Sequence, residues 1–158
     1  MAVVIIDGRV AVAFCTAVAT MASPTVTEIN AGTRLETFIT PTGLVITPTT
    51  PAVDVSNLGS KANAERAGRV KVQIKMTIHH DGTTDTGWNL LPYRTNGFLV
   101  VRRGIDRTTA FASTQQVEVY AVESGEPDQI DPTPSGLWDF AVDFFVTENS
   151  YVARAVVA

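Results

Sequence analysis

From Val70 to His79 the chain alternates apolar and polar residues without a break. Val70, Val72, Ile74, Met76 and Ile78 fall on one side, and Lys71, Gln73, Lys75, Thr77 and His79 on the other. Successive side chains of an extended strand point to opposite faces, whereas a helix needs apolar residues every three or four positions. The pattern therefore predicts an antiparallel strand with one buried and one wet face, and Asp81-Gly82 supplies the turn that ends it. A strand of this kind has no stability alone, so the rest of the chain must supply partners.

Those partners are visible. Gly97-Phe98-Leu99-Val100-Val101-Arg102-Arg103-Gly104 is an apolar run between glycines, and Gln116–Glu123 contains the alternating Val117-Glu118-Val119-Tyr120. Both read as strands. Leu137–Thr147 is another, with Trp138, Phe140, Val142, Phe144 and Val146 on one face and Asp139, Ala141, Asp143 and Phe145 opposite. A first strand follows Arg9, and Tyr151–Val157 forms a last strand or an arm. Residues 37–58 are rich in Thr, Pro and β-branched residues. Proline cannot donate to a ladder, so this stretch is expected at a sheet edge or as an extended excursion. Gly59–Gly68 and Glu126–Ser135 read as solvated loops.

Two short helices are expected. Ser23-Pro24 would open one that runs to Ala31, with Ser23 as the cap and Gly32 in a left-handed stop. Asp85–Leu91 would carry Trp88 and Leu91 inward until Pro92 halts it. The fold class is mainly β, an antiparallel β-sandwich or barrel with one or two short flanking helices. At 158 residues the chain suits a single domain with a real core.

Charge and motifs exclude several functions. The net charge of −4 argues against a protein that grips nucleic acid by neutralising phosphates. Basic residues gather from Lys61 to Lys75, whereas Glu118, Glu123, Glu126, Asp128, Asp131, Asp139, Asp143 and Glu148 crowd the second half. A subunit with one positive and one negative end is suited to head-to-tail stacking. Lone Cys15 rules out an intrachain disulfide and a multi-cysteine zinc site, and reads as a small buried strand residue. No phosphate-binding glycine loop and no G-x-S-x-G motif occurs. His79 and His80 are adjacent on a strand and point apart, so they do not converge on a metal. Asp139 and Asp143 share a strand face about 13 Å apart, too far for an acid–base pair. Arg102, Arg103 and Arg107 read as an exposed strand end rather than a phosphate site. No enzyme, metal or cofactor is expected.

The stretch Arg9 to Ala22 has a positive charge, an apolar run and small residues, the outline of an export signal. Asp7 weakens its positive end, and alternating Val, Ala and Thr favour a strand. Taken in order, the first strand leading to Pro24–Thr33, Val53–Asn57, Trp88-Asn89-Leu90-Leu91, Gly97–Gly104 and Val117–Tyr120 resemble the major tail tube proteins of long-tailed bacteriophages, in particular those of actinobacterial hosts. The resemblance covers roughly residues 9–147.

The resemblance implies a β-sandwich or barrel flanked by a helix. It implies hexameric rings stacked into a virion tail tube that is assembled in the host cytoplasm. Phage DNA would pass through the bore without specific binding, and the tape-measure and tail-end proteins would be partners. No membrane is involved. Within a single domain, residues 1–9 and 148–158 are then expected as arms and residues 44–68 as the long loop that orders on assembly. Leu44, Val45, Ile46, Val53, Asp54, Leu58 and Lys61 are its candidate contact residues, and Asp139 and Asp143 the candidate acidic wall of the bore. Rival readings are another virion or secretion-tube component, such as a decoration protein, and a secreted β-sandwich binding module.

Overall fold

The computed structural model describes residue 3 and residues 5–158, with the side chains of 148–151 excepted. In chain order the elements are β1 (Val10–Cys15), α1 (Val26–Ala31), β2 (Thr33–Arg34), β3 (Ile39–Thr49), β4 (Ala52–Asp54) and β5 (Glu65–Ala67). There follow β6 (Lys71–His79), α2 (Thr86–Leu90), β7 (Asn96–Arg103), β8 (Gln116–Ser124), β9 (Asp128–Gln129) and β10 (Asp139–Val156). Among the described residues, eight strands form one sheet in the order β2-β1-β7-β8-β10-β6-β3, with β9 on β10, and β4 and β5 pair separately. Every pairing is antiparallel.

The alternation of β6 is realised as read: Val72, Ile74, Met76 and Ile78 are buried, while Lys71, Gln73 and Lys75 are exposed. These residues meet Val12 and Phe14 of β1, Leu99 and Val101 of β7, Tyr120 and Val122 of β8, and Phe140, Val142 and Phe144 of β10 in one core. The sheet thus folds over on itself as a sandwich, and Leu35, Leu91 and the half-buried Trp88 fill its end.

The other face of β1, β7, β8 and the later part of β10 is covered as well. Ala11, Ala13, Cys15, Val100, Val117, Val119 and Ala155 pack there with Ile29 of α1, Phe111 and Val157. Hence β1 and the middles of β7 and β8 show runs of buried residues rather than alternation. The opposite face of β3, β6 and the start of β10 has no such cover. Val45, Lys71, Gln73, Lys75, Asp143 and Phe145 stand exposed on it.

Several local expectations are corrected. The cap of α1 is Thr25, not Ser23. The Thr25 hydroxyl accepts from the Glu28 amide, and the Glu28 carboxylate accepts from the Thr25 amide, a reciprocal capping box. Gly32 is extended (φ −75°), not left-handed. A glycine fits there because a Cβ would lie 2.6 Å from the Cys15 sulfur and 2.8 Å from the Phe14 carbonyl. Trp138 does not join the core. It precedes the first paired residue of β10, is 59% exposed and stacks on His80 at 3.9 Å. Of the two readings of Tyr151–Val157, a last strand or an arm, the strand is observed: β10 continues to Val156, and Ala155 and Val157 are buried.

Arg102 is buried rather than at an exposed strand end. Its guanidinium donates to the carbonyls of Asp106, Thr109 and Ala110 and to Gln115 Oε1, and it lies 4.5 Å from the Phe111 ring centroid. Carbonyl dipoles and a ring face stand in for a counter-ion, and the 104–115 connection is wrapped around the charge. Burial and the nearby Arg34 guanidinium hold its pKa below the ordinary arginine value.

Candidate assembly surfaces

The first surface is the β4–β5 hairpin. From Pro51 to Ala67 every residue but Ser56 is exposed. Val53 pairs with Arg66 and Asp54 with Glu65, so the hairpin is held by its own ladder and by a few turns. Asp54 Oδ1 accepts from the Ser56 amide, the Asn57 side chain accepts from the Gly59 amide, and Ser56 Oγ accepts from the Ala64 amide. The Ser56 hydrogen bonds hold the Asp54 carboxyl below its usual pKa. Val53, Val55 and Leu58 are exposed, Leu58 completely. Apolar side chains on a hairpin with no core beneath them make it a candidate contact surface.

The expected loop 44–68 is therefore divided. Leu44, Val45 and Ile46 belong to β3 and pair with Met76, Lys75 and Ile74. Leu44 and Ile46 pack half-buried against the core, and only Val45 of the three is exposed. Val53, Asp54, Leu58 and Lys61 belong to the projection itself. Sequence alone merged the two because β4 and β5 are three residues each, too short and too polar to show a period.

The second surface is the bare face of β3, β6 and β10. Its residues lie in cross-strand rows: Val45, Lys75 and Asp143 in one, Thr47, Gln73 and Phe145 in the next. Asp139 lies opposite His79, and its Oδ1 is 2.5 Å from His79 Nδ1. Asp139 and Asp143 thus share this face as expected, and Lys71 and Lys75 of β6 lie on it too, so its carboxylates and lysines balance. β3 is also the outermost strand, and its outer edge takes part in no ladder among the described residues. A groove of about 1180 Å³ runs over this region, lined in part by Val45, Val70, Gln73 and Phe145.

The third surface is the turn joining β9 to β10. Ile130, Leu137 and Trp138 are exposed on it. His80 anchors the turn from below. Its side chain is 3% exposed, with Nδ1 2.7 Å from Asp85 Oδ2 and Nε2 3.1 Å from Gln129 Oε1, and Gln129 Oε1 also accepts from the Trp138 indole at 3.0 Å. His79 and His80 therefore reach different partners. Sequence reading missed this pairing of His80 with Trp138, because the two residues lie far apart in the chain and meet only when β10 pairs with β6.

At the N-terminal end Val3, Ile5 and Ile6 are exposed, whereas Met1, Ala2 and Val4 of the expected arm lie outside the described residues. Cys15 is buried, and burial, with a smaller contribution from Glu28, pushes its thiol up to about 11. Among the described residues no group of three or more His, Cys, Asp and Glu could hold a metal ion. No helix among them is long and apolar enough to cross a membrane.

β1, the stretch with the outline of an export signal, is an inner strand paired on both sides, to β2 and to β7. No curated protein matches the chain. The family model for phage tail tube proteins matches residues 1–158. The antiparallel sandwich with its flanking helix agrees with that match, and the chain belongs to the phage tail tube protein family and is a structural protein of the phage tail.

Proposed function

We propose that this chain closes into rings of six, that the rings stack head to tail, and that the resulting tube conducts phage DNA into the host. The observation that carries the reading is the β4–β5 hairpin, a wholly exposed projection whose apolar side chains have no cover within the subunit. An asymmetric contact of this kind repeats from copy to copy, giving closed rings around an axis and filaments along it. The tape-measure protein occupies the bore during assembly in the host cytoplasm, and tail-end proteins close the tube.

The bore is assigned to the bare face of β3, β6 and β10. A wall with a net positive charge would hold DNA through counterion release and slow its exit. On this face Asp139 and Asp143 offset Lys71 and Lys75, which leaves little net charge to hold a phosphate backbone. Electron microscopy and light scattering of the purified chain test the assembly. Tubes of uniform width are expected, and a monomer at all concentrations removes the reading. Deleting Pro51–Lys61 is expected to leave a folded subunit that forms no tubes. For the bore, tails carrying Asp139→Lys with Asp143→Lys are expected to release DNA slowly and in a salt-dependent way. Unaltered release from well-formed substituted tails removes the bore assignment.

A further inference from the structure

The hairpin and the β9–β10 turn lie at opposite ends of the same sheet. β4 and β5 project beyond Thr49 and Lys71, which are paired at one end of β3 and β6. The turn sits at the other end, where the His80 amide donates to the Trp138 carbonyl and Asp139 pairs with His79. The nine residues of β6 separate the two ends by about 27 Å at the rise of a strand.

Both ends carry exposed apolar side chains, and their charges are opposite. From Ala52 to Lys71 the hairpin and its flank carry four basic residues, Lys61, Arg66, Arg69 and Lys71, against the two acids Asp54 and Glu65. The turn and its flanks carry Glu126, Asp128, Asp131 and Asp139, and no Lys or Arg occurs between Arg107 and Arg154. The turn is also preorganised. Trp138 is fixed from one side by the His80 ring and through its indole N–H by Gln129, while His80 is tied to Asp85. A fixed aromatic side chain costs little ordering entropy when something docks on it.

We infer that the β9–β10 turn, with Ile130, Leu137 and Trp138, is the docking surface for the β4–β5 hairpin of a second copy of this chain. The inference rests on the head-to-tail stacking proposed above and names the surface that receives the projection. Val53, Val55 and Leu58 of one copy meet the apolar side chains of the turn. Lys61 and Arg66 approach Asp128 and Asp131, which orients the two copies and disfavours hairpin-to-hairpin or turn-to-turn contacts between like charges.

Charge reversal tests it. Lys61→Glu with Arg66→Glu, and separately Asp128→Lys with Asp131→Lys, are each expected to raise the concentration needed for tube formation by about tenfold. All four substitutions in one chain are expected to restore it to within about threefold of the unmodified protein. Far-UV circular dichroism checks that each variant is folded.

As a second measurement, Leu58→Cys with Leu137→Cys in one chain is expected to give a ladder of covalent multimers when tubes are oxidised, and either substitution alone none. Cys15 stays silent because it is buried, and a disulfide forms only where the two Cα atoms come within about 7 Å. Tubes that show neither rescue nor a ladder overturn the docking surface and leave the stacking proposal standing. An unmodified chain that forms no tubes overturns the stacking proposal itself.

Discussion

The two halves of the sheet obey different rules. In β1, β7 and β8 both faces are covered, one by the sandwich core and the other by α1, Phe111 and the end of β10. In β3, β6 and the start of β10 one face is covered and the other is bare. Among the described residues β1, β7 and β8 expose no large apolar side chain, so their residues serve stability. The second half combines a bare face, an open edge and the hairpin. Mutations should therefore separate cleanly, with stability responding to the first half and assembly to the second.

The sharpest contrast is between Leu99→Ala and Leu58→Ser. Leu99 is fully buried, and its truncation is expected to cost the dissociated subunit about 2–5 kcal/mol in urea unfolding. Leu58 is completely exposed on the hairpin, and its replacement is expected to change the same measurement by no more than about 0.5 kcal/mol while impairing tube formation. A large loss of subunit stability from Leu58→Ser would erase the distinction.

A smaller effect is expected from Gly97→Ala in the doubly covered half. The added Cβ would overlap the Phe14 ring and sit 2.8 Å from the Cys15 carbonyl, and overpacking of this kind costs about 1–3 kcal/mol. Calorimetry of the dissociated subunit measures it, and tubes that form should retain normal geometry.

The smallest effect concerns α1, which helps cover that half. Thr25→Ala removes the cap and is expected to cost about 1 kcal/mol. The same box is pH-sensitive. Hydrogen bonds from the Thr25 amide, the Ala19 amide and the Thr25 hydroxyl hold the Glu28 carboxyl below its ordinary value. A group whose folded pKa is depressed stabilises above its unfolded pKa and loses that contribution as pH falls through the folded one. The cap is therefore expected to loosen below the usual carboxylate range. Carboxyl titration by NMR should find Glu28 low in the unmodified protein and nearer its ordinary value in the Thr25→Ala variant.

Much of this division was legible in the residues, but unevenly. The alternation of β6 announced a wet face, and the apolar run Gly97–Gly104 announced a strand. The apolar run could not say what covers its second face, because period two records how a strand is buried and not by which element. Arg102 failed for a related reason. A charged residue reads as exposed, and only the folded 104–115 connection brings three carbonyls and Phe111 to it. Trp138 continued the period of β10 on paper, yet the ladder begins one residue later, so the side chain was free to turn onto His80. Of the candidate contact residues, Val53, Asp54, Leu58 and Lys61 were placed on the projection, whereas Leu44 and Ile46 were drawn into the core by β3 pairing.

β10 is the one strand that belongs to both halves. Residues 139–145 pair with β6 and residues 144–156 with β8, and without it the sheet falls into two pieces, β2-β1-β7-β8 and β6-β3. It is also the last strand in chain order. On a ribosome, therefore, neither the bare face nor the turn that flanks it is complete until synthesis has passed β10. On the docking proposed above, nascent chains translated side by side on one messenger would carry finished hairpins before any finished surface to receive them.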